Sequence, residues 1–200
     1  MAGIVEKGNK DLFENEIEFN GKYATMLRYL KEEAGIFTSN REGYVISSIV
    51  GFINRCKETE DNTDSVKPTS IFASDILKRK PDLKFLYRVI MLLDDEQEYT
   101  MEEYRDRAFK TNPDEHMEIM KNNMKLFNSY ACGGLEYIYN IFADCDTTEK
   151  KVDKLYEFIH NMAIDDGIIE DDKELPAFTP DFDWFSVDMG SVFRFYEGCG

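Results

Sequence analysis

A helical apolar stripe between Met120 and Phe142 constrains the fold of this chain more than any other sequence feature. At about 100° per residue, a set of apolar side chains falls within about 60° of Phe127 on a helical projection. The set comprises Met120, Met124, Ala131, Ile138 and Phe142. Gly134 lies on the same stripe, about 20° from Phe127. Because the stripe stays in phase across Gly133 and Gly134, the pattern predicts one long helix from about Pro113 to Ala143.

The two adjacent glycines inside this predicted helix need a physical reason. Each costs about 1 kcal/mol relative to alanine in a helix interior, so some other interaction must offset them. Gly134 lies at the centre of the apolar face and Gly133 on its flank. We interpret the pair as a packing notch, which predicts a helix or strand crossing at this height. An anion-binding turn is disfavoured, because Glu136 follows directly and the nearest basic residue is Lys125.

Helical signals recur along the rest of the chain. Capping-box patterns at Ser39 and Glu42 and at Thr100 and Glu103 each precede an apolar segment. The β-branched run "YVISSIV" after the first of them also permits a strand. "SIFASDILKRK" predicts a short helix up to Lys80, and a strongly apolar helix follows from Pro81. Residues 57–69 lack apolar periodicity and predict a loop. Further helices are predicted in "GKYATMLRYLKEEAG" and "DTTEKKVDKLYEFIHNMAIDDG".

These patterns predict an all-α fold with six or seven helices around one core. We expect residues 1–164 to form this helical domain. Residues 165–200 mix acids with aromatic side chains and have little helical period. We expect this acidic aromatic C-terminal segment to be extended, with one short strand in "SVFRFYE", and to pack on the domain.

The charge of the chain limits its partners. The formal net charge is −16, and residues 165–200 contribute −8, with ten acids against Lys173 and Arg194. Binding to a nucleic-acid backbone or an anionic membrane requires a basic face, so neither is expected as the direct partner. A protein partner with a basic surface fits this charge better. The sequence predicts no oligomeric state.

The C-terminal segment also supplies the candidate partner surface. It groups bulky aromatic side chains with acids: Phe178, Asp181, Phe182, Asp183, Trp184 and Phe185. Such a run has enough apolar area to dock on another protein, and its charge would steer it toward a basic surface. The alternative is that these aromatic residues pack only against the protein's own helices.

Motifs for metal, cofactor or nucleophilic chemistry are absent from the sequence. Its four cysteines are widely spaced, its two histidines have no ligand-type neighbour, and no glycine-rich phosphate loop occurs. We therefore expect no metal, no cofactor and no catalytic residues, although a carboxylate-based hydrolase stays open as an alternative. With no long apolar run and no signal-peptide pattern at the start, we expect a cytoplasmic location.

Three segments resemble small accessory proteins found with bacterial DNA phosphorothioate-modification (Dnd) islands. They are "IFTSNREGYVISSIVGFINRC", "PTSIF" and "LFNSYACGGLEYIYNIF", which together span Ile36 to Phe142. In the last segment the matching positions are Phe127, Tyr130, Ala131, Gly133, Gly134, Leu135 and Glu136. The resemblance implies a role beside DNA-modification or phage-defence machinery and carries over no catalytic residue. We therefore expect a non-enzymatic accessory or interaction component, with an acidic DNA-mimic inhibitor as the alternative.

Overall fold

The computed structural model describes residues 11–63, 66–95 and 97–165, and within these ranges the predicted all-α fold is confirmed. The described residues form seven helices and one two-stranded sheet. The helices are α1 (Gly21–Glu32), α2 (Asn40–Ile53), α3 (Ala73–Leu77), α4 (Lys80–Leu93), α5 (Met101–Phe109), α6 (Pro113–Phe142) and α7 (Thr148–Asp165). The strands are β1 (Ile17–Phe19) and β2 (Thr69–Ile71). The predicted acidic aromatic segment after Asp165 lies outside the described residues.

The antiparallel pair of β1 and β2 was not predicted, and it corrects one helix boundary. Ile17 pairs with Ile71 and Phe19 pairs with Thr69. The helix predicted for "SIFASDILKRK" is therefore wrong at its start, because its first residues belong to β2 and α3 begins only at Ala73. Strands of three residues are too short for apolar alternation to register in the sequence.

The second helix resolves the choice between helix and strand for "YVISSIV". Ser39 caps α2, and its hydroxyl oxygen accepts a hydrogen bond from the backbone N–H of Glu42 at 3.2 Å. The Glu42 carboxylate accepts from the backbone N–H of Thr38 at 2.6 Å rather than from Ser39. The cap supplies a partner for one of the free N–H groups at the helix start and so stabilises α2. The β-branched residues of "YVISSIV" are therefore helical and do not form a strand.

Helix α6 runs through the glycine pair without a break, as predicted from its stripe. It is kinked at His116, its one residue with non-helical angles (φ −131°, ψ 28°), which lies nearly five turns before the glycines. Phe127 lies on its buried face at the centre of an aromatic cluster. The Phe127 ring centroid is 5.6 Å from those of Phe13 and Tyr44 and 6.2 Å from that of Tyr87. This cluster forms the middle of the core.

By its contacts the chain divides into two compact units, Met1–Lys151 and Val152–Gly200. In the second unit, the described residues continue α7, where Lys154 pairs with Glu157 at 2.6 Å and the Tyr156 ring stacks on His160. The predicted boundary between residues 164 and 165 stays a prediction. Among the described helices, none combines the length and apolar character that crossing a bilayer demands.

Candidate functional site

The close crossing of α2 and α6 positions the candidate functional region. A Cβ atom on Gly134 would lie 2.5 Å from the backbone nitrogen of Gly51 and would overlap the carbonyl oxygen of Ser47. In the other direction, a Cβ atom on Gly51 would lie 2.9 Å from the backbone nitrogen of Gly134. Real Cβ atoms essentially never approach other atoms within 3.0 Å, so each glycine is required by the backbone of the opposite helix.

Gly133 makes a second close approach, to the chain that leaves α2. A Cβ atom there would lie 2.9 Å from the backbone nitrogen of Lys57 and would overlap the carbonyl oxygen of Cys56. One step along, the backbone N–H of Glu58 donates to the carbonyl oxygen of Ser129 at 3.0 Å. The predicted notch residues therefore lie against two successive stretches of backbone, and the second contact holds the loop after α2 against α6.

A surface pocket opens where this loop, the β1–α1 junction and α6 meet. Its volume is about 350 Å³, including space open to solvent. The buried residues lining it are Phe19, Tyr23, Tyr44, Ala131 and Cys132. The residues around its edge are at least partly exposed, and they are Ile17, Glu18, Asn20, Glu60, Asp61, Asn62 and Asn128. The pocket thus has an aromatic floor and a polar, acidic rim.

Hydrogen bonds hold two of the rim carboxylates in place. Asp61 accepts from the backbone N–H groups of Lys22 at 2.7 Å and Thr63 at 3.1 Å. These bonds, the one from Lys22 first, lower the pKa of Asp61, so it is ionised at neutral pH. Asn128 links the rim to the floor, because its amide donates to Glu60 at 2.9 Å and accepts from the Tyr44 hydroxyl at 2.8 Å.

The Tyr23 hydroxyl is the unusual group of the pocket floor. Tyr23 is 1% exposed, its hydroxyl oxygen is buried, and the Lys22 ammonium lies beside it, 5.0 Å from the centroid of the Tyr23 ring. Burial raises the pKa of Tyr23 to about 12, so the hydroxyl stays protonated. Buried polar groups in native proteins are nearly always hydrogen-bonded, and an orphaned one costs free energy. The Lys22 ammonium and its ion pair with Glu136 are the charged groups beside this buried hydroxyl.

Among the described residues that line the pocket, Cys132 is the only one with a thiol, and it is not poised for nucleophilic attack. It is 3% exposed, and burial raises its pKa to about 12. The thiolate, which is the reactive form, is therefore scarce at neutral pH. Close to this floor, Lys22 forms an ion pair with Glu136 at 2.7 Å, and that bond raises the pKa of Lys22 to about 12. The arrangement suits binding better than covalent chemistry.

A second polar cluster, centred on Asp94, lies away from the pocket. One carboxylate oxygen of Asp94 accepts from the Tyr130 hydroxyl at 2.7 Å and from Lys57 at 3.2 Å, and the other accepts from Arg107 at 3.1 Å. Burial raises the pKa of Asp94, but these three donors outweigh burial and hold the pKa below its usual value. Arg107 also lies 4.3 Å from the ring centroid of Tyr99.

This Asp94 cluster has the properties of a structural network. It joins the end of α4, helix α5, helix α6 and the loop after α2, and Asp94 itself is 4% exposed. A carboxylate that is buried, ionised and bonded to three donors has no access to a substrate. We therefore assign the Asp94 cluster to stability rather than to function.

Of the site residues predicted from the sequence, the structure describes the glycine pair but not the candidate partner surface. Gly133 and Gly134 meet neighbouring backbone as described above. The candidate partner surface, Phe178, Asp181, Phe182, Asp183, Trp184 and Phe185, lies outside the described residues. Over the described ranges, no group of three or more histidine, cysteine or acidic side chains is arranged to hold a metal ion.

The pocket itself was missed by the sequence analysis. Tyr23 and Tyr44 have the spacing of ordinary core residues, and Glu60 to Asn62 lie in a segment that only predicts a loop. No local sequence pattern predicts that these residues lie together, because the pocket is formed by segments that are far apart in the chain. No protein-family model, curated protein or solved structure matches the chain. The resemblance to Dnd-island accessory proteins therefore stays a prediction.

Proposed function

We propose that this protein is a non-enzymatic interaction component of a bacterial DNA-modification or phage-defence system. It acts in the cytoplasm by binding a partner protein that has a basic surface. The observation that carries the proposal is the net charge of −16, which favours a positively charged partner. The resemblance of residues 36–142 to Dnd-island accessory proteins supplies the biological setting.

Two features of the described residues support a binding role. The pocket places carboxylates around an aromatic floor, while the Cys132 thiol in that floor is kept protonated by burial. Cys56, Cys132 and Cys145, the cysteines within the described residues, are free thiols.

The acidic aromatic run from Phe178 to Phe185 is the proposed main contact with the partner. Aromatic side chains are enriched among the residues that dominate binding energy at interfaces. Asp181 and Asp183 alternate with them and would raise the association rate with a basic surface. Apolar anchors and steering charge are thus combined in one short stretch.

Affinity capture of the tagged, full-length protein from its native host tests the proposal. We expect mass spectrometry to identify a DNA-modification or defence protein with a basic surface. Recovery of no such protein would reject the proposal. If the captured protein binds DNA and DNA competes with this chain for it, the role is that of a DNA-mimic inhibitor instead.

A further inference from the structure

We infer that the apolar face of α7 is a docking site for residues 192–196 of the same chain. The inference assigns an interaction surface and its occupant. It also has a consequence for the acidic aromatic run from Phe178 to Phe185, and only that consequence rests on the proposed function.

Helix α7 has an apolar face that lacks the burial of the apolar faces in the core. At about 100° per residue, five bulky apolar side chains fall within about 80° of one another's centre line on a helical projection. They are Val152, Leu155, Tyr156, Ile159 and Met162. None of the described side chains of α7 is buried, and Tyr156 and Ile159 are 37% and 39% exposed. In α1, by comparison, Leu27 and Leu30 are 0% exposed.

A helix with the composition of α7 depends on cover for such a face. It has 18 residues, and isolated helices of this size are only marginally stable in water unless an apolar face is packed. The ion pair between Lys154 and Glu157 lies on the surface, so it adds at most a few tenths of a kcal/mol. Stability of α7 therefore requires an apolar occupant on its exposed face.

Residues 192–196 have the composition that this face requires. Their apolar members are Val192, Phe193, Phe195 and Tyr196. Arg194 is balanced by the adjacent Glu197, so the stretch 191–197 carries no net charge. The run from Phe178 to Phe185 has Asp181 and Asp183 without a base, and burying those carboxylates unpaired would cost free energy. The neutral run is therefore the better occupant.

The lengths of the face and of its occupant match. The apolar positions of α7 from Val152 to Met162 extend over about 15 Å at 1.5 Å per residue. Residues 192–196 extend over about 13 Å as a strand-like run. A return along the whole of α7 requires about 20 Å, and the 26 residues between Asp165 and Val192 can reach several times as far.

The covalent connection favours the protein's own chain over a second copy. A run tethered by a linker of this kind meets its site at an effective concentration on the order of millimolar. A second copy or a partner protein would have to exceed that concentration to displace the run. We therefore assign the face to residues 192–196 of the same chain.

Docking at residues 192–196 would fix the C-terminal segment at a second point besides its connection to α7. The acidic aromatic run from Phe178 to Phe185 lies between these two points in the sequence. It would then be held as a loop, with less conformational entropy to lose when the basic partner binds.

Hydrogen–deuterium exchange of the full-length protein tests the docking. One variant combines Phe193→Ser with Phe195→Ser, and its matched control combines Phe178→Ser with Phe182→Ser in the acidic run. We expect α7 to exchange at least about fivefold faster in the first variant and at the wild-type rate in the control, with α2 and α6 unchanged in both. Wild-type exchange of α7 in the first variant, or equal acceleration in the control, would overturn the inference.

Trypsin cleavage after Arg194 tests the same contact from the other side. Arg194 lies within the docked run, and cleavage after Lys173 provides an internal reference. Ile159→Gln on the apolar face should raise the relative rate of cleavage after Arg194 by at least about fivefold. Asn161→Gln, about 160° away on the helix, should leave it unchanged. Equal rates in Ile159→Gln and the wild type would contradict the docking.

Protein concentration separates the protein's own chain from a second copy as the occupant. We expect exchange of α7 and cleavage after Arg194 to be independent of concentration. Protection that increases with concentration would assign the face to a second copy and overturn the inference.

These experiments do not depend on finding the partner. If α7 responds as expected but capture recovers no defence protein, the proposed function fails while the docking stands. If a basic defence protein is captured but exchange of α7 is unaffected by the Phe193 and Phe195 substitutions, the inference fails alone.

Discussion

Gly51 on α2 and Gly134 on α6 face each other so closely that a methyl group on either would overlap the backbone of the other helix. The Cβ of Gly134 would lie 2.5 Å from the Gly51 nitrogen. Helices that approach this closely gain backbone contact along the crossing, which offsets the helix-propensity cost of the glycines. Beside this crossing, the close approach of Gly133 to Cys56 and Lys57 holds the loop after α2 against α6, and that loop supplies part of the pocket rim.

The first prediction concerns this crossing. Gly134→Ala should lower the free energy of unfolding by about 2 kcal/mol, because overpacking against rigid backbone outweighs the gain in helix propensity. Chemical denaturation measures the change. Asn140→Ala is the control, since Asn140 is exposed on the same helix, and it should change stability by less than about 0.5 kcal/mol. A stabilised Gly134→Ala protein would show that the helices do not meet here.

The second prediction concerns the buried carboxylate of Asp94. Asp94→Asn leaves the buried Arg107 without its counter-ion, so we expect a loss of about 3 kcal/mol in unfolding free energy. Asp95→Asn provides a matched control on the neighbouring residue, whose ion pair with Arg55 is exposed. Urea unfolding of both variants gives the comparison. Equal stability of the two would mean that the Asp94 cluster contributes nothing.

The third prediction concerns acid pH. The pKa of Asp94 in the folded protein lies below its usual value of 3.8. Its contribution to stability is therefore complete above that value and is lost as the pH falls through the lower, folded-state pKa. Tyr130→Phe removes one donor, so the folded-state pKa should rise and the loss should begin at a higher pH. Unfolding curves of wild type and variant between about pH 2 and 6 measure the shift; superimposable pH profiles would contradict it.

How far the sequence predicts this fold depends on whether a signal is local. The stripe through Phe127 and Ile138 repeats within one helix, so it predicted α6 and its buried face. The same pattern predicted that Gly134 has a close neighbour. It could not identify Gly51 as that neighbour, because a contact between distant segments produces no periodic pattern in the sequence. The β1–β2 pair was missed for the same reason, and each strand has only three residues.

The candidate site was less predictable than the fold. Its floor combines Tyr23 from α1, Tyr44 from α2 and Cys132 from α6, each of which fits an ordinary core position. What distinguishes Tyr23 is its burial beside the Lys22 ammonium, and this depends on the tertiary surroundings rather than on residue type. The positions of Glu60 and Asp61 likewise follow from the contact of the loop with α6, whereas Glu18 lies on β1.

The fourth prediction concerns thiol reactivity. Because burial raises the pKa of Cys132 to about 12, iodoacetamide should modify it at least about tenfold more slowly in the folded protein than in urea. Peptide mass spectrometry after timed labelling at neutral pH gives the rate for this residue. Fast labelling of Cys132 in the folded state would contradict its buried position in the pocket floor.

The central claim, that this acidic protein binds a basic partner, is tested most directly by capture with wild-type and altered C-terminal segments. One variant replaces Phe178, Phe182, Trp184 and Phe185 with alanine, and the control replaces Phe193, Phe195 and Tyr196. We predict that the wild type and the control retain a basic DNA-modification or defence protein at low salt and release it as salt rises, while the first variant does not retain it. Capture of no such protein by the wild type, or equal capture by all three, would contradict the account.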